Sequence, residues 1–291
     1  VTGAIVSRGI KKGIEKASRV LMPFLFVLLV ALAVNSVTLP GTGEGIAFYL
    51  MPDFSYLFNF GTWMKGFAQA LFSLSVGSGI LLTYASYLRK REGIAKYVFG
   101  IAGADTLIAL IGGVIVFPIV FSFGLNPAAG PELSFVSLPA VFKVMPFGYV
   151  IGMFFFLLLF IAALTSAVSM MEVSVSSFVD ELGWNRRRSV AALSVVVFIL
   201  GVPSAFSYYG SGISVFGTPF LDFMDLLFGS ALLLSSALLC ISIMWLHRPR
   251  IFSVPAGWVS RLGIQQAAYL MLRYVIPFVL LIMFIFEILI S

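Results

Sequence analysis

Residues 63–87 read WMKGFAQALFSLSVGSGILLTYASY. The run is apolar enough to enter a bilayer from either end, yet its middle is FSLSVGSG (Phe72–Gly79), with three serines and two glycines in eight residues. Glycine inside a helix costs about 1 kcal/mol relative to alanine. Backbone groups freed at that depth are tolerated only against protein or a water-filled cavity. Two readings follow. Either the helix breaks and its unwound carbonyls build a binding site, or a continuous helix packs closely through its small residues.

The rest of the chain sets this run in a membrane. Of 291 residues 60% are hydrophobic and 10% charged, with mean hydropathy +1.09, whereas a soluble domain carries roughly 25% charged residues. The single Cys240 excludes a disulfide scaffold, and so apolar a composition excludes disorder. A β-barrel would alternate apolar and polar residues. Here Phe154–Ala163 and Ala231–Cys240 read instead as unbroken apolar stretches. At about 20 residues per crossing, seven spans are expected, at 18–38, 62–87, 94–123, 147–178, 189–207, 219–246 and 269–290. The fold class is an all-α polytopic bundle in one transmembrane domain over 1–291. The connections at 39–61 and 124–146 are long and rich in Gly and Pro.

Of the 18 Lys and Arg residues, all but Lys65 and Lys143 fall on one side of these spans. The positive-inside bias therefore puts the N-terminus in the cytoplasm and the end beyond Glu287 outside the cell membrane. Anionic lipid explains the net charge of +6 without a nucleic-acid partner. Val1 is not a start methionine, as expected of a chain that begins inside a longer protein.

Span 147–178 contains Ala162, Thr165, Ser166, Ser169, Glu172 and Ser176 at helical spacing, a polar stripe that continues to Asp180. The hydroxyls either serve a site or bond back to their own helix. Glu172 is either functional or a structural carboxylate with a partner elsewhere. Asp105 lies nine residues beyond Lys96, about 14 Å into the bilayer, where a carboxylate costs about 2.5–3.5 kcal/mol. The Lys and Arg residues within the spans lie towards their ends and none reaches this depth to neutralise it, which favours a cation or a proton as its partner. Enzymatic chemistry has no foothold. The only histidine, His247, reads as an interfacial residue in a basic loop, and no HExxH, GxSxG or Gly-rich phosphate loop occurs.

FSLSVGSGILLTYASYLRK (72–90), FVSLPAVF (135–142), ALTSAVSMMEV with FVDEL (163–182), LDFMD (221–225) and LMLRYVIPF (270–278) together resemble the neurotransmitter:sodium symporter family, to which the bacterial leucine transporter belongs. The resemblance implies a partial leucine-transporter fold, matching spans five to eleven only. That is the second inverted repeat with flanking helices, and the first four spans are absent. It implies a sodium-coupled amino-acid symporter working by alternating access, not an enzyme. Two sodium sites follow, each completed by the missing first span.

By the same resemblance, Phe72 closes the substrate pocket and Ser73 binds the first sodium. Ser75 lines the unwound segment. Ser78 replaces a pocket aromatic, leaving room for a bulky hydrophobic or aromatic amino acid, and Met170 touches its side chain. Ala162, Thr165 and Ser166 match the second sodium site, with Ser166 also beside the substrate. The family's Asn ligand falls on Ala104. Its neighbour Asp105 is then both a sodium ligand and a fixed charge replacing chloride, because Ile108 stands where chloride-dependent members use Ser. Asp225 resembles the outer gate acid, and Asp180 with Tyr87 the inner gate. Gly13 and Pro23 have the Gly-x9-Pro spacing that related bacterial members associate with unwinding near the inner sodium; a plain proline near a helix start is the other reading. Two further alternatives stay open: a proton-coupled or uncoupled transporter in which Asp105 or Glu172 titrates, and an inactive fragment or half of a split transporter.

Overall fold

A computed structural model of the chain describes residues 1–87, 94–128, 130, 132–208, 212–246 and 269–290, with backbone alone at 94–96 and 287–290. The placements expected for His247, Arg248, Arg250, Arg261 and Arg89–Arg91 lie outside the described residues.

In chain order the elements are α1 (Thr2–Ser7), a π-helical turn (Ile10–Glu15), α2 (Lys16–Val37), α3 (Thr42–Leu50), a 3-10 turn (Phe54–Phe58), α4 (Phe60–Ser73), α5 (Ile80–Ser86) and α6 (Ile94–Ser122). A π turn (Leu133–Ser137), α7 (Leu138–Val144), α8 (Gly148–Leu182) and α9 (Arg186–Ala205) follow. The chain continues through a hairpin of β1 (Ser214–Val215) and β2 (Thr218–Pro219), α10 (Phe220–Ile241) with a π turn (Ser242–Leu246), and a π turn (Met271–Val275) leading into α11 (Ile276–Ile290).

Among the described residues five helices are long and apolar enough to cross a membrane: Ile10–Val37, Tyr97–Ser122, Gly148–Leu182, Arg186–Ala205 and Phe220–Leu246. The two other expected spans differ for distinct reasons. Span 62–87 is split into α4 of 14 residues and α5 of 7, neither of which crosses alone. The last span is helical from Tyr269 to Ile290, with a shorter described apolar run, Met271–Phe286. The connections at 39–61 and 124–146 are themselves partly helical, in α3 and α7. Sequence chemistry explains several ends. The Asn59 side chain accepts from Gly61 N–H at 2.9 Å to cap α4, and Asn185 accepts from Arg188 N–H at 2.8 Å to cap α9. Gly183 closes α8 in the left-handed conformation.

The packing forms two compact units. The first holds Val1–Phe54 and Thr106–Leu221. Its spine is α8, against which α1, α2, α7 and α9 pack. One cluster joins Leu28 and Leu32 of α2 to Ile115 and Ile119 of α6 and to Phe155 and Ile161 of α8. A second joins Val6 and Ile14 to Leu164, Val168 and Val175 of α8 and Val190 of α9. The second unit holds Ser55–Asp105 and Asp222–Ser291. There Met64 of α4, Leu233 and Ala237 of α10, and Leu280 and Met283 of α11 form the buried core.

Candidate functional site

The break between α4 and α5 is a run of left-handed residues: Ser75 at φ 54°, Gly77 at φ 87° and Gly79 at φ 82°. Such angles cost an ordinary L residue roughly 1–2 kcal/mol, which is why glycine holds two of the three positions. The freed backbone groups find local partners. Ser75 N–H donates to Phe72 O at 3.1 Å and Val76 N–H to Leu71 O at 2.9 Å. The Ser78 hydroxyl donates to Ser75 O at 2.7 Å. Of the two readings of FSLSVGSG, the broken helix is the one the chain adopts.

Two carbonyls of the break are held from α10. Ser236 Oγ lies 3.1 Å from Val76 O and Ser235 Oγ 3.0 Å from Gly77 O. Each hydroxyl also reaches Leu232 O, at 2.8 Å from Ser236 and 3.0 Å from Ser235, so each proton is shared between an intrahelical and an interhelical acceptor. The contact is close: a Cβ on Gly77 would sit 1.9 Å from Ser236 Oγ. These serines belong to Ala231–Cys240, which sequence reading passed over as unbroken apolar. An adjacent Ser-Ser pair in the middle of a span was the signal available.

At the end of α4, Ser73 Oγ donates to Asp105 Oδ1 at 2.7 Å. Two residues 32 positions apart, both read from sequence as cation ligands, are thus brought into contact within the second unit. Phe72 is 53% exposed beside them. Tyr87 follows α5 and Asp225 lies in α10, both exposed and in the same unit.

Ala162, Thr165, Ser166, Met170 and Asp180 lie on α8 in the first unit. Thr165 Oγ1 donates to Ala162 O at 2.8 Å, so two oxygens expected around the second sodium are adjacent. Ser169 Oγ lies 3.2 Å from Thr165 O, and Ser176 Oγ bonds Val173 O. The stripe is therefore largely back-bonded to its own helix. Ser166, Met170 and Asp180 are exposed.

Glu172 stays close to this face, two helical turns beyond Thr165, but unlike Ser166 and Met170 it is fully buried, where Leu164, Val168 and Val175 pack with α1 and α9. Arg186 at the start of α9 pairs with it, Nη1 lying 3.1 Å from Oε1 and Nη2 closer still on Oε2. Arg186 Nε also donates to Val6 O at 2.8 Å. The functional reading of Glu172 is thereby replaced by the structural one, and its partner comes from a basic cluster that sequence reading used only to orient the spans. Gly13 lies in the π turn Ile10–Glu15, with the α-helix resuming at Lys16 and running through Pro23. The Gly-x9-Pro segment is thus helical throughout and widened only at its start.

A multi-pass helical membrane protein with one span broken over a hydroxyl-rich turn and a carboxylate against that break defines a class, the leucine-transporter fold. The chain belongs to the sodium:neurotransmitter symporter family, whose model matches residues 1–291. A sodium-dependent transporter of Bacillus subtilis, YhdH, is 38% identical over 246 residues, 82% of this chain and 53% of that protein. The sodium-dependent nutrient amino acid transporter 1 of Drosophila melanogaster is 32% identical over 209 residues, 68% of this chain and 32% of that protein. Among solved structures, the crystal structure of MhsT in complex with L-phenylalanine matches with TM-score 0.82 and 37% identity, over 98% of this chain and 65% of that one. The chain thus spans about half the length of the first curated relatives, 53% and 52%. The family and these relatives are transporters, not enzymes.

Proposed function

We propose that the chain forms part of a sodium-coupled amino-acid symporter that works by alternating access, as a single transmembrane domain with its N-terminus in the cytoplasm and its C-terminus outside. The observation that carries this reading is the Ser73–Asp105 contact at the broken helix. A hydroxyl and a carboxylate meeting beside freed backbone carbonyls make a hard oxygen set suited to a cation that must shed water and leave again. Ser73 and Asp105 contribute to the first sodium site, and Ala162 O, Thr165 and Ser166 to the second. Both sites are completed by earlier spans such as those in the longer relatives. Phe72, Ser75, Ser78, Ser166 and Met170 contact the substrate. Asp225 serves the outer gate, and Asp180 with Tyr87 the inner one. Sodium bound more tightly to the outward-facing state drives uptake.

The substrate is a bulky hydrophobic or aromatic amino acid. Support comes from the small Ser78 and from the phenylalanine bound to MhsT. Sodium-dependent binding of a panel of labelled amino acids to the purified protein tests this. Large apolar side chains are expected to bind best, and a preference for glycine or proline sinks the substrate reading. Binding that follows a proton gradient and ignores sodium sinks the coupling reading.

The Asp105 carboxylate supplies the fixed charge that makes chloride unnecessary. Uptake into proteoliposomes is expected to be the same in chloride and in gluconate. The Asp105→Ser variant is expected to lose about tenfold in gluconate, the worth of one charge-assisted contact, and to regain activity when chloride is restored. Unchanged uptake by that variant in gluconate overturns the assignment.

A further inference from the structure

Arg273 sits in the π turn Met271–Val275 and faces the π turn Ser242–Leu246 that ends the α10 span. The two turns are joined by a bond from Trp245 Nε1 to Arg273 O at 2.9 Å. The guanidinium is ringed by aromatic groups, with its Cζ 5.6 Å from the Trp245 ring, 5.7 Å from Tyr269 and 5.4 Å from Tyr274. Single π-helical turns within helices are frequent at functional sites.

The charge of Arg273 is unbalanced. A guanidinium carries five N–H donors, and one atom is engaged here, Nη1 with Tyr269 Oη at 2.5 Å. The Nε group is buried and has no partner. Arg19 and Arg186, by contrast, have Glu15 and Glu172. Among the described residues no carboxylate reaches Arg273. The connection 247–268 contains no Asp or Glu. Glu287 lies 14 residues further along the same helix, about 21 Å away. The enclosed Nε is out of reach of an outside group, but the charge is uncompensated and Nη2 is not engaged, so an external anion at the Nη1–Nη2 edge is favoured.

We propose that Arg273, with Trp245, Tyr269 and Tyr274, forms a binding site for the phosphate of an anionic phospholipid headgroup. The flat fork matches two phosphate oxygens, and Trp and Tyr prefer the headgroup level of a bilayer. Leu246, Leu270, Met271 and Val275 border the cluster with exposed apolar side chains, suited to acyl chains and of no use to a free anion. Basic pockets between spans bind anionic headgroups elsewhere. The inference requires these two helices to meet the bilayer surface but not a particular orientation, and it is independent of the transport reading.

Native mass spectrometry of the purified protein titrated with phosphatidylglycerol or phosphatidylcholine tests it. The wild type is expected to prefer phosphatidylglycerol. The Arg273→Gln variant is expected to lose about tenfold of that preference, and Arg273→Lys, which keeps the charge without the fork, to lose part of it. Arg19→Gln removes the same charge elsewhere and is expected to change nothing. Equal binding of the two lipids by the wild type overturns the proposal, as does an equal loss in Arg19→Gln. Displacement of phosphatidylglycerol by millimolar inorganic phosphate reassigns the site to a soluble anion and also overturns it.

Discussion

Gly77→Ala is expected to abolish sodium-dependent substrate binding and to lower stability by about 3 kcal/mol, more than about a hundredfold in an equilibrium constant. The substitution imposes two penalties together. Alanine at φ 87° costs roughly 1–2 kcal/mol, and its Cβ meets Ser236 Oγ at 1.9 Å. That oxygen is not a yielding tip, because Ser236 is buried and held between Val76 O and Leu232 O. The break must therefore move away from α10. Removing the obstructing hydroxyl in Gly77→Ala/Ser236→Ala relieves the closest contact, while Ser236 Cβ at 2.9 Å and Leu232 O at 3.0 Å remain. Partial rescue is expected, and the double mutant is milder than the sum of the singles. Thermal unfolding in detergent and a sodium titration of substrate binding measure both effects. A Gly77→Ala protein with wild-type sodium affinity would show that the serine clamp does not shape the site.

Glu172→Ala is expected to cost about 3 kcal/mol in stability, the penalty for leaving one member of a buried ion pair uncompensated. Glu172 is fully buried while the Arg186 side chain is 28% exposed, so the stranded guanidinium recovers some hydration and the effect falls at the lower end for such pairs. The same guanidinium bonds Val6 O, so α1 loosens from α8 and α9 when Arg186 loses its anchor. Glu172→Gln, which keeps volume and an acceptor, is expected to be milder. The paired substitution Glu172→Ala/Arg186→Ala is expected to fall well short of additive. Unfolding midpoints of the wild type, Glu172→Ala, Arg186→Ala and the double variant supply the test, and strict additivity would deny the coupling. Sodium dependence is expected to persist in Glu172→Gln, because this carboxylate stabilises packing.

Much of the candidate site was legible in the chain. FSLSVGSG announced an interruption because serine and glycine at the centre of an apolar run contradict both helix propensity and hydrophobic burial. Asp105 stood out because an intramembrane acid is expensive. What escaped was the support behind them. Ser235 and Ser236 vanish into the mean hydropathy of Ala231–Cys240, and their acceptors are 158 and 160 residues away. Glu172 was placed by helical spacing on the face of Thr165 and Ser166. That this part of the face is buried followed from packing with Val6 and from the Arg186 partner, which no period within α8 contains.

Hydropathy adds residue by residue, so the chain alone determined that this is a helical membrane protein, roughly where its spans run and which span fails. Hydrogen bonds and ion pairs depend on which distant groups arrive within about 3 Å of each other. Only tertiary structure decided, therefore, that α10 holds the break through two hydroxyls, that Ser73 meets Asp105, and that Glu172 belongs to the packing around Arg186.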